Sequence, residues 1–367
     1  MIKNKLVLTG GHAATTAVAV VEEIKSQNKD WKLYWVGVKN AIEGKRITTL
    51  ESEVLPHFGV KFLSLITGRL QRKFTFWTIP SALKIPIGFM QSFYYLIRIR
   101  PKMVLSFGGF ASFPVVFNAR LLKIPVIIHE QTSAAGRANL AAAKFATKIT
   151  LARIGSEKYF KNLDCVVTGN PVMKGITKIR FSKIKDSVPV VFITGGSRGS
   201  QSINQVVEQI LKSLLKKYKV IHQTGGLDYL KFSDIKQKLP QALRRNYEVF
   251  IRVNPLEIND CYSKATIIVS RAGANTVSEI MIIKKPSILI PLPISFLDEQ
   301  TKNAKVAKDM GIAEIIPQNK LTPKKLLSTI DNLILNIEEI RRKCRGKKSP
   351  DLEASKKLVG LIEKYMK

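Results

Sequence analysis

The stretch VPVVFITGGSRGS, residues 188–200, decides the fold of this 367-residue chain. Its first half is a short apolar run rich in Val and Ile, which predicts a buried strand. The glycines that follow, Gly195, Gly196 and Gly199, predict a tight turn that leads into a helix. A buried strand, a glycine-rich turn and a helix form the repeating unit of a parallel α/β sheet.

The same unit recurs along the chain in two series. Apolar runs separated by helix-like segments predict parallel sheets with crossover helices on both faces, and two series predict two doubly wound α/β domains. The predicted strands are Lys5–Thr9, Leu33–Gly37, Met103–Phe107, Val126–His129 and Ile149–Ala152 in the first series, and Val188–Thr194, Lys219–Gln223, Glu248–Ile251, Ile267–Ser270, Ser287–Pro291 and Glu314–Ile316 in the second.

The predicted domains are residues 1–171 and residues 187–350. The charged stretch 172–186 lacks a clear period and is predicted as a linker. Residues 351–367 are predicted as a C-terminal helix, with packing back on the N-terminal domain as one option. Ligands of open α/β sheets bind outside the carboxyl ends of the strands, so the expected site is a cleft between two facing sheets.

The charge balance indicates an anionic partner. The net charge is +33, and residues 54–129 contain ten Lys or Arg but no Asp or Glu. Nucleic acid, an acidic membrane and phosphorylated substrates are candidate partners. A Lys-rich composition spread over solvated faces is the alternative explanation.

The cysteines and the apolar runs argue against a zinc site, a disulfide framework and a membrane-spanning helix. Cys165, Cys261 and Cys344 are far apart without metal-ligand spacing, which argues against zinc and suits a reducing compartment. The N-terminus is predicted as a first strand rather than a signal peptide. The longest apolar candidate, residues 85–97, is too short to span a bilayer.

Two strand-end turns in the second series favour a nucleotide ligand. The turn Thr194–Ser200 can approach a phosphate closely, with hydroxyls at Ser197 and Ser200, although an ordinary tight turn has the same pattern. In the turn Arg271–Glu279, the Glu279 carboxylate lies one helical turn after Asn275. It is placed to accept hydrogen bonds from both hydroxyls of a ribose, or it is a solvated residue at a helix start.

Polar residues also follow the next strand. Gln300 and Asn303 are three residues apart on one predicted helix face, and with Glu279 they suit a sugar. Polar residues in a first helical turn are common, so this pattern is weak alone.

The first series carries glycine-rich loops of its own. Thr9-Gly10-Gly11-His12 follows the first strand, and His12 is either a general base, a phosphate ligand or a structural histidine. Similar loops occur at residues 106–112 and 129–136. Three such loops in one domain suggest a second phosphorylated ligand.

Together these loops resemble the MurG family of glycosyltransferases. The resemblance implies a GT-B fold, transfer of N-acetylglucosamine from UDP to the muramyl-pentapeptide lipid I to form lipid II of peptidoglycan, and no metal or cofactor. It rests on Thr9–His12, Gly108-Gly109-Phe110, His129-Glu130-Gln131, Gly169-Asn170-Pro171-Val172, Gly195-Gly196-Ser197-x-Gly199, Ala274-x-Thr276-Val277-Ser278-Glu279 and Asp298-x-Gln300.

The resemblance also implies residue roles. His12 is the family position proposed as catalytic base. The donor UDP-N-acetylglucosamine is expected to contact Thr9, Gly10, Gly11, Thr132, Met173, Ser197, Ala274, Asn275, Thr276, Glu279 and Gln300. The lipid-linked acceptor is expected to contact Gly108, Gly109, His129 and Glu130.

Several positions depart from the family pattern. Ala13 and Ala14 follow the first motif where the family has a hydrophobic residue and proline. Thr132 replaces a usual Asn, and Met173 replaces a usual Arg, with Lys174 one residue on. With these changes, a different acceptor or a different sugar is the alternative to the family's substrates.

The acid-free segment 54–129 predicts contact with an anionic membrane. Basic residues beside aromatic ones suit a bilayer interface, and the family binds membranes through its N-terminal domain, which implies a peripheral protein on the cytoplasmic face. A buried core is the alternative for the aromatic side chains. The residues concerned are Arg69, Arg72, Lys73, Phe74, Phe76, Trp77, Ile79, Leu83 and Lys84.

Four other functions fit part of the pattern. Another lipid-directed GT-B enzyme, such as a diacylglycerol glycosyltransferase, would share the donor site. A UDP-sugar epimerase would share the fold but needs additional acid/base carboxylates. A basic nucleic-acid-binding protein fits the charge, but no recognisable nucleic-acid module is present, so no specific nucleic acid is expected. A nonenzymatic lipid carrier or scaffold would keep only the nucleotide pocket.

Overall fold

The computed structural model describes residues 4–11, 13–40, 48–68, 78–179, 188–196 and 199–366. The chain forms two compact units. The N-terminal unit contains Met1–Met173 and Pro350–Lys367, and the C-terminal unit contains Lys174–Ser349.

The N-terminal unit is built on a seven-stranded parallel sheet in the order β3-β2-β1-β4-β5-β6-β7. Its strands are β1 (Asn4–Thr9), β2 (Trp31–Gly37), β3 (Lys61–Ser64), β4 (Met103–Ser106), β5 (Val126–Glu130), β6 (Lys148–Leu151) and β7 (Cys165–Val167). Its helices are α1 (Ala14–Ser26), α2 (Leu50–Val54), α3 (Thr78–Ile99), α4 (Ser112–Leu121), α5 (Arg137–Ala142) and, at the end of the chain, α15 (Ala354–Met366).

The C-terminal unit has a six-stranded parallel sheet in the order β10-β9-β8-β11-β12-β13. Its strands are β8 (Val190–Thr194), β9 (Lys219–Gln223), β10 (Tyr247–Phe250), β11 (Ile267–Ser270), β12 (Ser287–Leu289) and β13 (Ala313–Ile315). Its helices are α6 (Lys174–Thr177), α7 (Gln201–Lys217), α8 (Tyr229–Lys238), α9 (Gln241–Arg244), α10 (Ile258–Lys264), α11 (Ala274–Ile283), α12 (Glu299–Asp309), α13 (Pro323–Leu335) and α14 (Ile337–Cys344).

All eleven predicted strands are present, but two strands of the N-terminal sheet, β3 and β7, were not predicted. Both lie at sheet edges, and each contains at least one exposed residue. An edge strand has one neighbour and one open side. β3 accordingly includes the polar residues Lys61 and Ser64, and β7 has only three residues, whereas all residues of β4 and β5 are buried.

The strand order reverses at the same place in both sheets. β1 lies between β2 and β4, and β8 lies between β9 and β11. Strand ends are level at these points, since Thr9 pairs with Ser106 and Ser270 pairs with Thr194. In an open α/β sheet this switch point is where ligands bind, because two loops diverge from adjacent strands.

The stretch expected as a linker, residues 172–186, contains a short helix in its described part, residues 172–179. Residues 174–177 form α6, and a Cβ atom on Gly175 would lie 2.1 Å from Nδ2 of Asn259, which follows the start of α10. α6 therefore packs directly within the C-terminal unit. The returning chain ends in α15, which packs on α1 and carries the Lys29–Glu363 ion pair of 2.5 Å.

Within the described residues, no helix is long and apolar enough to cross a membrane. The same residues contain no group of three or more His, Cys, Asp or Glu placed to hold a metal ion. The three cysteines are free thiols.

Candidate functional site

The turn after β8 is a closed glycine loop. The Gly196 N–H donates to the Thr194 hydroxyl at 3.0 Å, and the Gly196 carbonyl accepts from the Gly199 N–H at 2.9 Å. Nε2 of Gln223, at the end of β9, donates to the same carbonyl at 2.6 Å. These bonds hold the loop against the neighbouring strand and direct the chain into α7.

Each of the three glycines in this loop is favoured for a different structural reason. A Cβ atom on Gly195 would lie 2.3 Å from the backbone of Gly199, and one on Gly199 would lie 2.0 Å from the Thr224 carbonyl oxygen. Gly196 has a φ of 80°, and no atom of the described residues lies within 4 Å of an added Cβ. The loop is therefore packed on one side and open at Gly196, next to Ser197, which lies outside the described residues.

Ser200 is the N-cap of α7, a helix of 17 residues, and among the described residues no side chain caps this end. The N-terminus of such a helix carries a partial positive charge. The open glycine loop and the helix start together suit the diphosphate of a nucleotide.

The second turn, after β11, leads into α11. Its N-cap is Gly273, which has no side chain to cap the helix, and in the described part of the chain no atom lies within 4 Å of an added Cβ. Ala274, Asn275 and Thr276 form the first turn and are partly exposed. The start of α11 is thus open to a ligand.

Glu279 lies one turn further along α11 and is almost buried. The Tyr262 hydroxyl donates to its Oε2 at 2.6 Å, and no other hydrogen bond to this carboxylate is found among the described residues. Burial raises the pKa of Glu279 to about 7, although the Tyr262 hydrogen bond lowers it. A ligand that donates hydroxyls to Oε1 would favour the ionised form.

The loop after β12 positions Gln300. Its Oε1 accepts the Leu292 N–H at 3.0 Å, which leaves Nε2 for a ligand. Leu297 and Asp298, just before α12, both have φ near 53°, in the left-handed region that costs non-glycine residues energy. Nδ2 of Asn303 donates to the Ala272 carbonyl at 3.2 Å, so this residue braces the loop before α11.

Arg271 is a central residue of this site that the sequence analysis missed. Its guanidinium donates to the Ile290 carbonyl at 3.0 Å, the Ser202 hydroxyl at 2.6 Å and Oε1 of Gln318 at 2.7 Å. It thereby ties β11 to the end of β12, the first turn of α7 and the loop after β13. Its position directly after a buried strand was the available signal, and for Gln223 the signal was its position as the last residue of a buried strand.

In the N-terminal unit, the loops after β1 and β4 touch each other. The Gly11 N–H donates to the Gly108 carbonyl at 2.9 Å, and a Cβ atom on Gly109 would lie 2.8 Å from the Gly11 nitrogen. The Thr9 hydroxyl is buried and donates to the Val36 carbonyl at 2.8 Å. Thr9 therefore presents its backbone, not its side chain, to this loop pair.

The start of α1 is occupied by an internal anion. Glu51 is buried, and its Oε1 accepts the N–H of Ala13, the N-cap of α1, at 2.8 Å. This carboxylate therefore places a negative charge at the start of the helix. The phosphorylated ligand expected at this glycine loop stays a prediction.

His129 is buried inside the N-terminal unit. Its Nδ1 lies 2.9 Å from the Thr150 hydroxyl and its Nε2 lies 3.3 Å from Oδ1 of Asn170. Burial lowers its pKa to about 4, so the ring is neutral near pH 7. The expected direct contact between this side chain and the acceptor does not fit, because both ring nitrogens are used within the protein.

Glu130 is also buried and shapes the loop that follows it. Oε1 accepts the N–H of Thr132 at 2.9 Å and its hydroxyl at 2.8 Å. Oε2 accepts the Gly136 N–H and Nδ2 of Asn139, both at 2.8 Å. Glu130 is thus a positioning residue rather than a direct ligand contact.

The remaining predicted residues are less informative. Thr132 is partly exposed and bound to Glu130, and Met173 is a buried apolar side chain at the end of the N-terminal unit. His12, like Ser197, lies outside the described residues.

Comparison with known proteins agrees with this geometry. Residues 9–151 match the glycosyltransferase family 28 N-terminal domain, and residues 190–358 match the glycosyltransferase family 28 C-terminal domain. A UDP-N-acetylglucosamine–N-acetylmuramyl-(pentapeptide) pyrophosphoryl-undecaprenol N-acetylglucosamine transferase from Bacillus cytotoxicus is 32% identical, over 98% of this chain and 97% of the relative. The Clostridium novyi enzyme of the same name is 31% identical over the full length of both chains.

The chain belongs to the MurG family. Acinetobacter baumannii MurG superposes with a TM-score of 0.67 at 23% identity, covering 98% of this chain and 99% of that one. UDP-GlcNAc 2-epimerase from Neisseria meningitidis reaches a TM-score of 0.68 at 16% identity, covering 98% and 100%. Membership in the MurG family therefore rests on sequence, while the GT-B fold is shared with enzymes of other reactions.

Proposed function

We propose that this protein transfers N-acetylglucosamine from UDP-N-acetylglucosamine to lipid I, the lipid-linked muramyl-pentapeptide, and forms lipid II for peptidoglycan. The full-length identity to the named transferases carries this proposal. The geometry of the strand-end turns in the C-terminal unit supports the nucleotide-sugar donor.

The donor is proposed to bind along the carboxyl ends of β8, β11 and β12. The open loop at Gly196 and the start of α7 would hold the diphosphate through backbone N–H groups. Glu279 would accept the ribose hydroxyls, and Nε2 of Gln300 would contact the sugar. The departing UDP gains negative charge, which the N-terminal ends of α7 and α11 stabilise.

The chemical step is proposed as a single displacement at the anomeric carbon, with inversion. A base must remove the proton of the acceptor hydroxyl, and His12 is the proposed base. His129 is not an alternative base, because it is buried and both ring nitrogens are bonded within the protein. The proposal needs no metal or cofactor, since helix ends and backbone amides serve the diphosphate.

The acceptor lipid requires a membrane-facing surface, and we assign this to one side of α3. Six apolar side chains at spacings of three and four residues form an exposed stripe along the helix. Met90 is 73% exposed and Leu83 is 70% exposed. The stripe consists of Ile79, Leu83, Ile87, Met90, Tyr94 and Ile97.

Ile79 and Leu83 are exposed, whereas the aromatic residues for which a buried core is the alternative, Phe74, Phe76 and Trp77, lie outside the described residues. The opposite side of α3 is the buried one. There Nδ2 of Asn118 donates to the Phe89 carbonyl at 2.8 Å and to the Ser92 hydroxyl at 2.7 Å, which holds α3 on α4. The predicted residues 69–77 lie outside the described residues.

The stripe is large enough to hold the protein at an interface. Burying each partly exposed side chain contributes about 1 kcal/mol, so six contribute about 6 kcal/mol. Each cation near an anionic leaflet adds about 1 kcal/mol. We therefore propose peripheral attachment at the cytoplasmic face, where the donor and lipid I meet, and no specific binding of nucleic acid.

Two experiments test the function. Release of UDP is measured for each pairing of UDP-N-acetylglucosamine or UDP-glucose with lipid I or diacylglycerol. Release only with UDP-N-acetylglucosamine and lipid I supports the proposal, whereas release with diacylglycerol supports another lipid-directed transferase. Co-sedimentation with phosphatidylglycerol and phosphatidylcholine vesicles tests the surface, and equal binding to both would remove its electrostatic part.

A further inference from the structure

Asp351 is a buried acid that the returning chain brings into the N-terminal unit. Its side chain is inaccessible, and it lies two residues after Ser349, where the chain leaves the C-terminal unit. The Arg153 guanidinium binds both carboxylate oxygens, Nη1 at 2.5 Å and Nη2 at 2.6 Å. Residues 198 positions apart in sequence are thus joined by a bidentate pair.

The same carboxylate also holds the loop after β7. Oδ1 of Asp351 accepts the Asn170 N–H at 2.7 Å. Gly169 has a φ of 84°, and a Cβ atom there would lie 2.4 Å from the Pro350 carbonyl oxygen. The segment 350–351 therefore lies directly on the Gly169-Asn170 backbone.

A row of polar contacts continues from this loop along the strand ends. Oδ1 of Asn170 lies 3.3 Å from Nε2 of His129. Nδ1 of the same ring lies 2.9 Å from the Thr150 hydroxyl, which also donates to the Ile128 carbonyl at 3.3 Å. Asp351 thus holds the backbone of Asn170, whose side chain contacts the His129 ring.

The row ends at the glycine loops. Asn139 donates to the Glu130 carboxylate at 2.8 Å and lies against Gly108, where an added Cβ would be 2.4 Å from its Oδ1. The Gly108 carbonyl in turn accepts the Gly11 N–H. The contacts therefore cross the sheet from the end of β7 to the end of β1, the predicted acceptor side.

We infer that Asp351 is a positioning residue for the acceptor-side loops of the N-terminal unit, an inference that rests on the proposed function. Docking of α15 does not need this acid, because Leu358, Val359 and Ile362 are buried and Lys29–Glu363 pairs on the same helix. A buried ion pair adds little net stability over well-packed apolar residues. What Asp351 supplies is an oriented acceptor for the Asn170 N–H.

The test compares two double variants that both remove the ion pair. R153M/D351N keeps an oxygen that accepts the Asn170 N–H, and R153M/D351L does not. K29M/E363Q is the matched control, since it removes the other ion pair of the same docked segment. For each, the thermal midpoint, the UDP-N-acetylglucosamine Kd by calorimetry, and kcat and KM for lipid I are measured.

We expect R153M/D351L to have a lipid I KM about tenfold above that of R153M/D351N, equivalent to about 1.4 kcal/mol. The donor Kd should agree within twofold in all variants, and the control should match wild type. N170A, which keeps the N–H but loses the contact with His129, should also raise the lipid I KM about tenfold. If R153M/D351L does not fold, N170A still tests whether the contacts from Asn170 position the acceptor-side loops.

An unchanged lipid I KM in R153M/D351L, or in N170A, would overturn the inference. An equal effect of K29M/E363Q would do the same, because it would mean general loosening of the docked segment. If wild type transfers nothing, the proposed function fails, and hydrogen exchange of residues 129–139 then decides the inference. Faster exchange in R153M/D351L than in R153M/D351N supports positioning, and equal exchange refutes it.

Discussion

Raising the pH from 6 to 8 should strengthen binding of UDP-N-acetylglucosamine through Glu279. Burial raises the pKa of this carboxylate to about 7 in the free protein. The ionised form is the stronger acceptor of hydrogen bonds from the two ribose hydroxyls. The ionised fraction rises from about one eleventh at pH 6 to about ten elevenths at pH 8, so the apparent Kd should fall about tenfold.

Calorimetry at pH 6, 7 and 8 measures this change directly. The intact nucleotide sugar is the right ligand, because both of its phosphates are esterified and do not titrate in this range. Repeating the pH 7 titration in buffers of different ionisation enthalpy should show release of about half a proton per complex. E279Q should bind more weakly and without the pH dependence.

Two results would refute this reasoning. A wild-type Kd that is constant from pH 6 to 8 would mean that Glu279 does not titrate on binding. A slope retained in E279Q would assign the titration to another group, such as His12. His129 and His222 are not candidates, because burial lowers their pKa values to about 4 and about 3.

Four further outcomes are expected. The pKa of Glu279 in the folded protein is above its ordinary value of 4.5, so its ionisation lowers the stability of the protein as the pH rises from 4.5 through 7. E279Q should therefore raise the free energy of unfolding at pH 8, measured in urea, by up to about 3 kcal/mol. H12A should lower kcat about a hundredfold and leave the UDP Kd within about twofold. G199A should cost about 3 kcal/mol of stability, since it adds a backbone clash to a positive φ. L83E/M90E should weaken binding to phosphatidylglycerol vesicles at least about tenfold.

Matched variants control the last two outcomes. G196A has the same positive φ but open space, so it should cost only about 1 kcal/mol, and equal costs would contradict the packing argument. L335E replaces an exposed leucine of the C-terminal unit and should leave vesicle binding unchanged. If H12A has unchanged turnover, His12 is not the base. If E279Q and wild type have the same free energy of unfolding at pH 8, the ionised Glu279 does not destabilise the folded protein.

Much of the fold follows from local sequence. Strands such as β4, β5 and β8 are buried in parallel sheets, so they are continuous apolar runs that can be recognised without neighbours. The turns at Gly195–Gly199 and Gly273–Glu279 are equally local, because a glycine requirement and a helix start are set within a few residues. The family motifs lie in these turns.

Tertiary structure alone decided which polar groups the site can use. His129 and Glu130 are placed at a strand end by sequence, but their partners Asn170 and Asn139 turn both side chains inward. Glu51 fills the start of α1 from another part of the chain, and the exposure of the α3 stripe depends on which side α4 covers. Composition and periodicity encode which residues are buried. A hydrogen bond depends instead on the partner that folding brings within about 3 Å. For Asp351 that partner is Arg153, which is 198 residues away in the sequence.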